Sequence, residues 1–198
     1  FPTLLGSVAL SLPTTPPACL SVAYLQRHMQ KPYWRHLQEL NRLVRWMQRV
    51  PQGLVFLQNS GSCQLVAATD SSFSAGDTKG LVMRGAVIML TYGEIGKTQQ
   101  VQLIDWFSRK QPHVCRSTFA AELHAMLDGI NQGLIVQAAL HEIEHGAMSA
   151  SDLLGVMMRG ELSPPLQIIL DARSVFDAIA ANPVSTPADR HLRLHLLK

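Results

Sequence analysis

The sequence predicts an α/β fold, a mixed sheet flanked by helices, with a small helical segment at the N-terminus. Three observations carry this reading. Apolar residues keep a helical period through residues 19–50 and then turn to strand-like runs. Between residues 64 and 107 two or three apolar stretches are joined by short connections, the pattern of an antiparallel meander. A long helical pattern follows, then one short apolar strand and further helical segments.

Residues 1–17 are rich in Pro, Thr and Ser without a clear period and read as a leader. In residues 19–50, Leu37, Leu40, Leu43, Val44 and Met47 fall on one helical face. Pro32 splits this region into two helices, because proline belongs at or near a helix start. Arg35, Arg42, Arg45 and Arg49 occupy the opposite face, which is either simply solvated or turned toward phosphates. Pro51 and Gly53 end the segment.

Gln64 to Thr69 reads as a strand ending at Asp70, and Leu81 to Tyr92 as a second, with Gly93 and Gly96 marking a turn. Gln100 to Phe107 partly alternates, which places Val101, Leu103, Asp105 and Phe107 on one side. Ser117 is a plausible N-cap for a helix that runs through Phe119, Leu123, Met126, Leu127, Ile130 and Leu134 toward Ile143. Residues 146–163 look irregular. Gln167 to Leu170 is a short strand ending at Asp171. Ser174 to Ala181 reads as a helix stopped by Asn182-Pro183, and a final helix is expected from Pro187 onward.

Composition narrows the function classes. The chain is 198 residues long and 47% apolar, enough for a sizeable core and against a disordered chain. A net charge of +3 permits a nucleic-acid partner without demanding one. Cys19, Cys63 and Cys115 are odd in number and widely spaced, with no CxxC pair, so neither a disulfide framework nor a structural zinc cluster is expected. A reduced intracellular setting, cytoplasm or nucleus, is the default. No apolar run approaches the roughly 20 residues of a membrane helix. Phe1 in place of Met suggests a chain that starts inside a longer product.

Three constellations carry chemistry. Asp70 and Asp171 each end an apolar strand, and Glu122 lies in the first turns of a helix, about fifty residues from either, so only a fold can gather them. Ligand sites of open α/β sheets lie at strand ends, and carboxylates there suit Mg²⁺. Two such ions can activate water for phosphodiester hydrolysis. The plainer alternative is that Asp ends strands as a turn residue. The second constellation, His141-Glu142-Ile143-Glu144-His145, spells HExxH, which on a helix can hold zinc. No third ligand stands at the expected spacing, and Gly146 follows at once, so an exposed, solvated helix end without zinc is the competing expectation. The third is Trp106-Phe107-Ser108-Arg109-Lys110-Gln111, which either stacks on and neutralises a nucleic-acid strand or buries its aromatics beside a basic loop.

Four blocks resemble the C-terminal part of a Copia-type retrotransposon Pol polyprotein, its ribonuclease H domain and the connecting segment before it. They are Val66-Ala67-Ala68-Thr69-Asp70-Ser71-Ser72-Phe73; Trp106 to Gln111 followed by Arg116-Ser117-Thr118-Phe119-Ala120-Ala121-Glu122-Leu123; Ile169-Leu170-Asp171-Ala172-Arg173-Ser174; and Arg190-His191-Leu192-Arg193-Leu194-His195. Upstream, Asn41-Arg42-Leu43-Val44-Arg45 and Gly53-Leu54-Val55-Phe56 are similar to the connecting helix and turn. The blocks stand in family order over roughly residues 19–198.

The resemblance implies a ribonuclease H-like domain over residues 59–198, after a leader and helical connection over 1–58. It implies Mg²⁺-dependent cleavage of the RNA strand of an RNA–DNA hybrid, with Asp70, Glu122 and Asp171 as catalytic residues and ligands of two Mg²⁺ (Mn²⁺ can substitute). Arg109, Lys110 and Ser117 are the expected nucleic-acid contacts, and the rest of the Pol polyprotein is the implied partner. One departure stands out: the family's fifth strand and the helix bearing a fourth carboxylate are not found before Lys198. A catalytically inactive remnant that only binds nucleic acid is therefore the alternative, with weak or undetectable cleavage and some rescue by Mn²⁺ as the expectation for residues 1–198 alone. A zinc hydrolase using His141 and His145 ranks below both.

Overall fold

In a computed structural model, residues 1–49, 53–56, 58, 61–73, 82–93, 100–112 and 114–181 are described. The N-terminal residues, which show no clear period in the sequence, are partly helical. Pro2–Ala9 form helix α1, with proline at its first position, where the missing N–H costs nothing. Two short 3₁₀ turns, Leu12–Thr14 and Pro16–Ala18, lead into α2, Cys19–Gln26. Helix α3 spans Trp34–Arg49. Leu5 and Val8 of α1 are buried against Val22, Leu25, Leu40 and Leu43, so the first residues complete a small core of their own. A helix of two turns offers too few apolar positions for its period to show, and the neighbouring Pro and Thr conceal it.

The sheet has the order β3-β2-β1-β4 among the described residues. β1 is Cys63–Ser72, β2 Met83–Tyr92, β3 Gln100–Lys110 and β4 Leu166–Leu170. The first three form an antiparallel meander, and β4 joins β1 in parallel. The sheet is therefore mixed and flanked by helices, consistent with a ribonuclease H-like fold.

Two strand expectations need correction. β1 does not end at Asp70 but pairs with β2 through Ser72. In β3 the expected alternation fails, because Met89 pairs with Leu103 while Ile88 pairs with Asp105, leaving Ile104 as an extra residue. Such a bulge reverses the parity of side chains. Asp105 and Phe107 thus share one face, and Leu103 and the exposed Val101 lie on the other. The strand also continues to Lys110.

Helix α4, Thr118–His145, is 28 residues long, about 42 Å at 1.5 Å per residue, and covers one face of the sheet. Ser117 caps it by accepting the Ala120 N–H at 3.1 Å. The helix lies close to the sheet because a stripe of small residues faces β1. Ala121 and Ala125 are fully buried, and a Cβ at Gly129 would overlap Thr69 Cγ2. At Gly133 it would press on Leu166 of β4 at 2.9 Å. Helix α2 lies on the opposite face, over β3, with the Ser108 backbone N–H toward the Cys19 sulfur.

The segment expected to be irregular, 146–163, contains helix α5, Ala150–Met158. Its signal is a capping pair: Ser149 Oγ accepts the Asp152 N–H and donates to Asp152 Oδ2 at 2.6 Å. The flanking Gly146 and the internal Gly155 obscured it. Helix α6, Arg173–Ala180, follows β4 as expected. The predicted helix from Pro187, the Gly96 turn and the start of β2 at Leu81 lie outside the described residues. None of the described helices is long and apolar enough to cross a membrane.

The close approach of α4 gives the first testable consequence. Gly129→Ala is expected to lower stability by about 1–3 kcal/mol, since Thr69 is buried and cannot yield freely. Gly6→Ala, in open space within α1, should instead raise stability by up to ~1 kcal/mol. Urea midpoints of the two variants check the contrast, and equal midpoints would remove the close-packing account.

Candidate metal centre

The only parallel pair among the described strands builds the site. Thr69 pairs with Leu170, so the next residues of the two strands, Asp70 and Asp171, come side by side at the same end of the sheet. Strand ends are where open α/β sheets place their ligands. Glu122 reaches that end from the second turn of α4, one residue past the buried Ala121. One carboxylate oxygen from each of Asp70, Glu122 and Asp171 lies within 4.8 Å of the others. Among the described residues this is the one cluster of three or more acidic, His or Cys side chains so arranged.

The three carboxylates are not equivalent. Asp70 and Asp171 are exposed, whereas Glu122 is buried. Ser71 Oγ donates a hydrogen bond to Glu122 Oε1 at 2.7 Å and fixes the carboxylate at the floor of the site. Burial pushes the Glu122 carboxyl above its ordinary range. The Ser71 hydrogen bonds work against that rise, and the charges of Asp70 and Asp171 add to it. A divalent cation held there would offset the repulsion among the three charges and favour the ionised form of Glu122. The donor set, three carboxylates and no sulfur or imidazole, fits a hard ion such as Mg²⁺ or Mn²⁺.

The other predicted contacts are placed as follows. Arg109 Nη2 binds Asp128 Oδ2 of α4 at 2.9 Å, and its guanidinium covers the Phe107 ring at 4.3 Å. Arg84, across the β2–β3 pair from Arg109, binds the same Asp128 oxygen at 2.7 Å. Arg109 is thus part of a two-arginine, one-carboxylate bridge between sheet and helix, and it remains half exposed. Lys110 is exposed at the end of β3. The Ser117 side chain serves as the N-cap of α4, five residues before Glu122.

The HExxH segment departs from expectation. His141 is buried, not exposed, because the chain after α5 folds back over it and Ser163 N–H donates to its Nδ1 at 3.1 Å. Glu142 Oε1 accepts the Met148 N–H at 3.0 Å, and Glu144 Oε2 accepts from Ser163 Oγ at 2.8 Å. These side chains tie the C-terminus of α4 to the segments after it. Of the two histidines only His145 is exposed, as expected, and Ile143 and Glu144 are exposed beside it.

Reading the sequence missed Ser71 as the partner of Glu122. Its position beside Asp70 was a signal, but strand alternation assigns neighbours to opposite faces. It also missed Asp128, whose role depends on an arginine some forty residues away.

No family model matches the chain. It is similar to the "Retrovirus-related Pol polyprotein from transposon RE1" of Arabidopsis thaliana, 26% identical over 123 residues, or 62% of this chain. The chain spans 8% of that protein's length. This similarity supports an origin in a retrotransposon Pol polyprotein.

The raised Glu122 pKa predicts a pH effect with a definite sign. The folded, metal-free protein holds the Glu122 proton more tightly than the unfolded chain does. That contribution is fully present below the ordinary carboxylate pKa and is lost as pH rises through the elevated one. In EDTA, the melting temperature should therefore carry a component that falls across the range just above ordinary carboxylate values. Glu122→Gln should remove this component and melt higher at neutral pH. Adding Mn²⁺ should raise the melting temperature of the parent protein but not of the variant, and an equal Mn²⁺ response in both would exclude Glu122 as a ligand.

Proposed function

We propose that this chain is a divalent-cation-dependent endonuclease that cuts the RNA strand of RNA–DNA hybrids, as the ribonuclease H part of a Copia-type Pol polyprotein. The observation that carries this reading is the meeting of Asp70, Glu122 and Asp171, from three separate elements, within 4.8 Å at a strand end. The similarity to a retrotransposon Pol polyprotein supports the same assignment.

Each residue has a role that follows from its placement. Asp70 and Asp171 are exposed and would hold the cation on the side open to an incoming phosphodiester, while Glu122 is held from below by Ser71. Bound Mg²⁺ supplies water activation and charge neutralisation at the scissile phosphate. Lys110 and the exposed side of Arg109 lie on the basic end of β3 and suit phosphates of the hybrid backbone. A hybrid is distinguished by shape and 2′-hydroxyls, so no base-specific contacts are required.

The test is cleavage of an end-labelled RNA strand in a hybrid with Mg²⁺ or Mn²⁺. Asp70→Asn should leave no product above background. Ser71→Ala should cost about 10–100-fold in metal affinity or rate, the usual effect of losing a group that orients a ligand. The reading fails if Asp70→Asn still cleaves, or if the parent protein cuts no hybrid with either ion.

A further inference from the structure

The groove between α2 and α3 has no part in the chemistry above. It encloses about 620 Å³, within the range of ligand sites. Tyr24 and Trp46 line it, Met83 of β2 closes one side, and Arg27, Arg42 and Glu39 border it. Arg27, Arg42 and Tyr24 are exposed, which puts them at its mouth. The border therefore carries two positive charges against one negative. Neither arginine is held in an ion pair among the described residues, unlike Arg84 and Arg109. The Tyr24 ring is fixed edge-on by His28 and His36, at 5.1 and 6.1 Å between centroids. His36 is itself fully buried and stacked on His28 at 4.0 Å. Two aromatic side chains lining one groove, with two guanidinium groups that no ion pair holds among the described residues, meet the needs of an unpaired nucleotide: a stacking surface for the base and cations for its phosphates.

The position of the groove supports the same occupant. Met83 pairs with Ser72, and Gly85 pairs with Asp70. Met83 and Gly85 are two residues apart on β2 and so share a face, about 7 Å along the strand. Across the next pair Gly85 meets Ser108, whose backbone faces Cys19 of α2. The groove therefore opens beside the end of the sheet that carries Asp70. A strand seated in it can continue toward the acidic cluster.

We propose that this groove binds single-stranded nucleic acid, with one unpaired base against Tyr24 and Trp46 and the adjoining phosphates on Arg27 and Arg42. The binding itself is independent of the nuclease assignment. The further role, seating a single-stranded extension of the hybrid that is cut, rests on that assignment.

The experiment uses the full chain in EDTA and follows the fluorescence anisotropy of labelled dT12. The double change Arg27→Ala/Arg42→Ala should weaken binding about tenfold or more and lower the salt slope by about 1.4, at ~0.7 per phosphate contact. Trp46→Leu should weaken it by a similar factor and Trp46→Phe much less, because stacking needs a ring. If Trp46→Leu melts early, the exposed Tyr24→Ala reads the same contact. Arg159→Ala, on α5's exposed end, should change nothing. Asp70→Asn should bind dT12 normally while losing cleavage, which separates failure of the nuclease reading from failure of this one. The double arginine variant should cut hybrids with single-stranded extensions more slowly, and blunt hybrids unchanged. Unchanged dT12 affinity in the arginine and aromatic variants would overturn the proposal. So would absence of dT12 binding by the parent chain, or self-association that the arginine changes abolish, which would give the groove to a second copy.

Discussion

The close contact between α4 and the central strand is the constraint on which the site depends. Gly129 meets Thr69, the residue just before Asp70, and leaves no room for a side chain. Ala121 and Ala125 continue the same contact two turns toward the N-terminus of the helix. Glu122 follows Ala121, so the depth at which α4 sits on β1 sets the distance of Glu122 from Asp70. A helix of larger residues would stand off the sheet by the thickness of a methyl group or more. The Ser71–Glu122 hydrogen bond at 2.7 Å tolerates no such displacement. The two ends of the device are linked: the stripe sets the depth, and Ser71 sets the orientation.

The same end of the sheet combines opposite electrostatic demands. Three carboxylates repel one another there, and burial raises the cost for Glu122. Close by, Arg84 and Arg109 converge on Asp128 and cross-link β2 and β3 to α4. Arg84 is largely buried, and burial alone disfavours its charge, so Asp128 compensates it from the helix. The sheet–helix interface is thus held by close packing along β1 and by this ion network at its edge. Among the described residues no cation pairs with the acidic cluster, so its mutual repulsion favours taking up a metal ion.

Much of this was legible in the sequence. The meander, the long helix, the short strand before Asp171 and the three acids all follow from periodicity and strand-end logic. What escaped was set by tertiary contact. Leu5 and Val8 belong to a helix too short to show a period, and Ile104 shifts β3 by one residue without any Gly or Pro to mark the bulge. His141 looked solvent-facing because nothing local revealed that Ser163 would fold onto it. Arg109 read as a phosphate contact, and its tie to Asp128 appears only once β3 and α4 are placed side by side.

The central claim is that Asp70, Glu122 and Asp171 form one divalent-cation site built by the β1–β4 parallel pair and the depth of α4. The most direct measurement is anomalous diffraction from crystals soaked in Mn²⁺. An anomalous peak within oxygen-ligand distance of all three carboxylates, absent from the same crystals of Glu122→Gln, is the predicted result. Ordered carboxylates with no peak between them at saturating Mn²⁺, or a peak that survives Glu122→Gln unchanged, would contradict it.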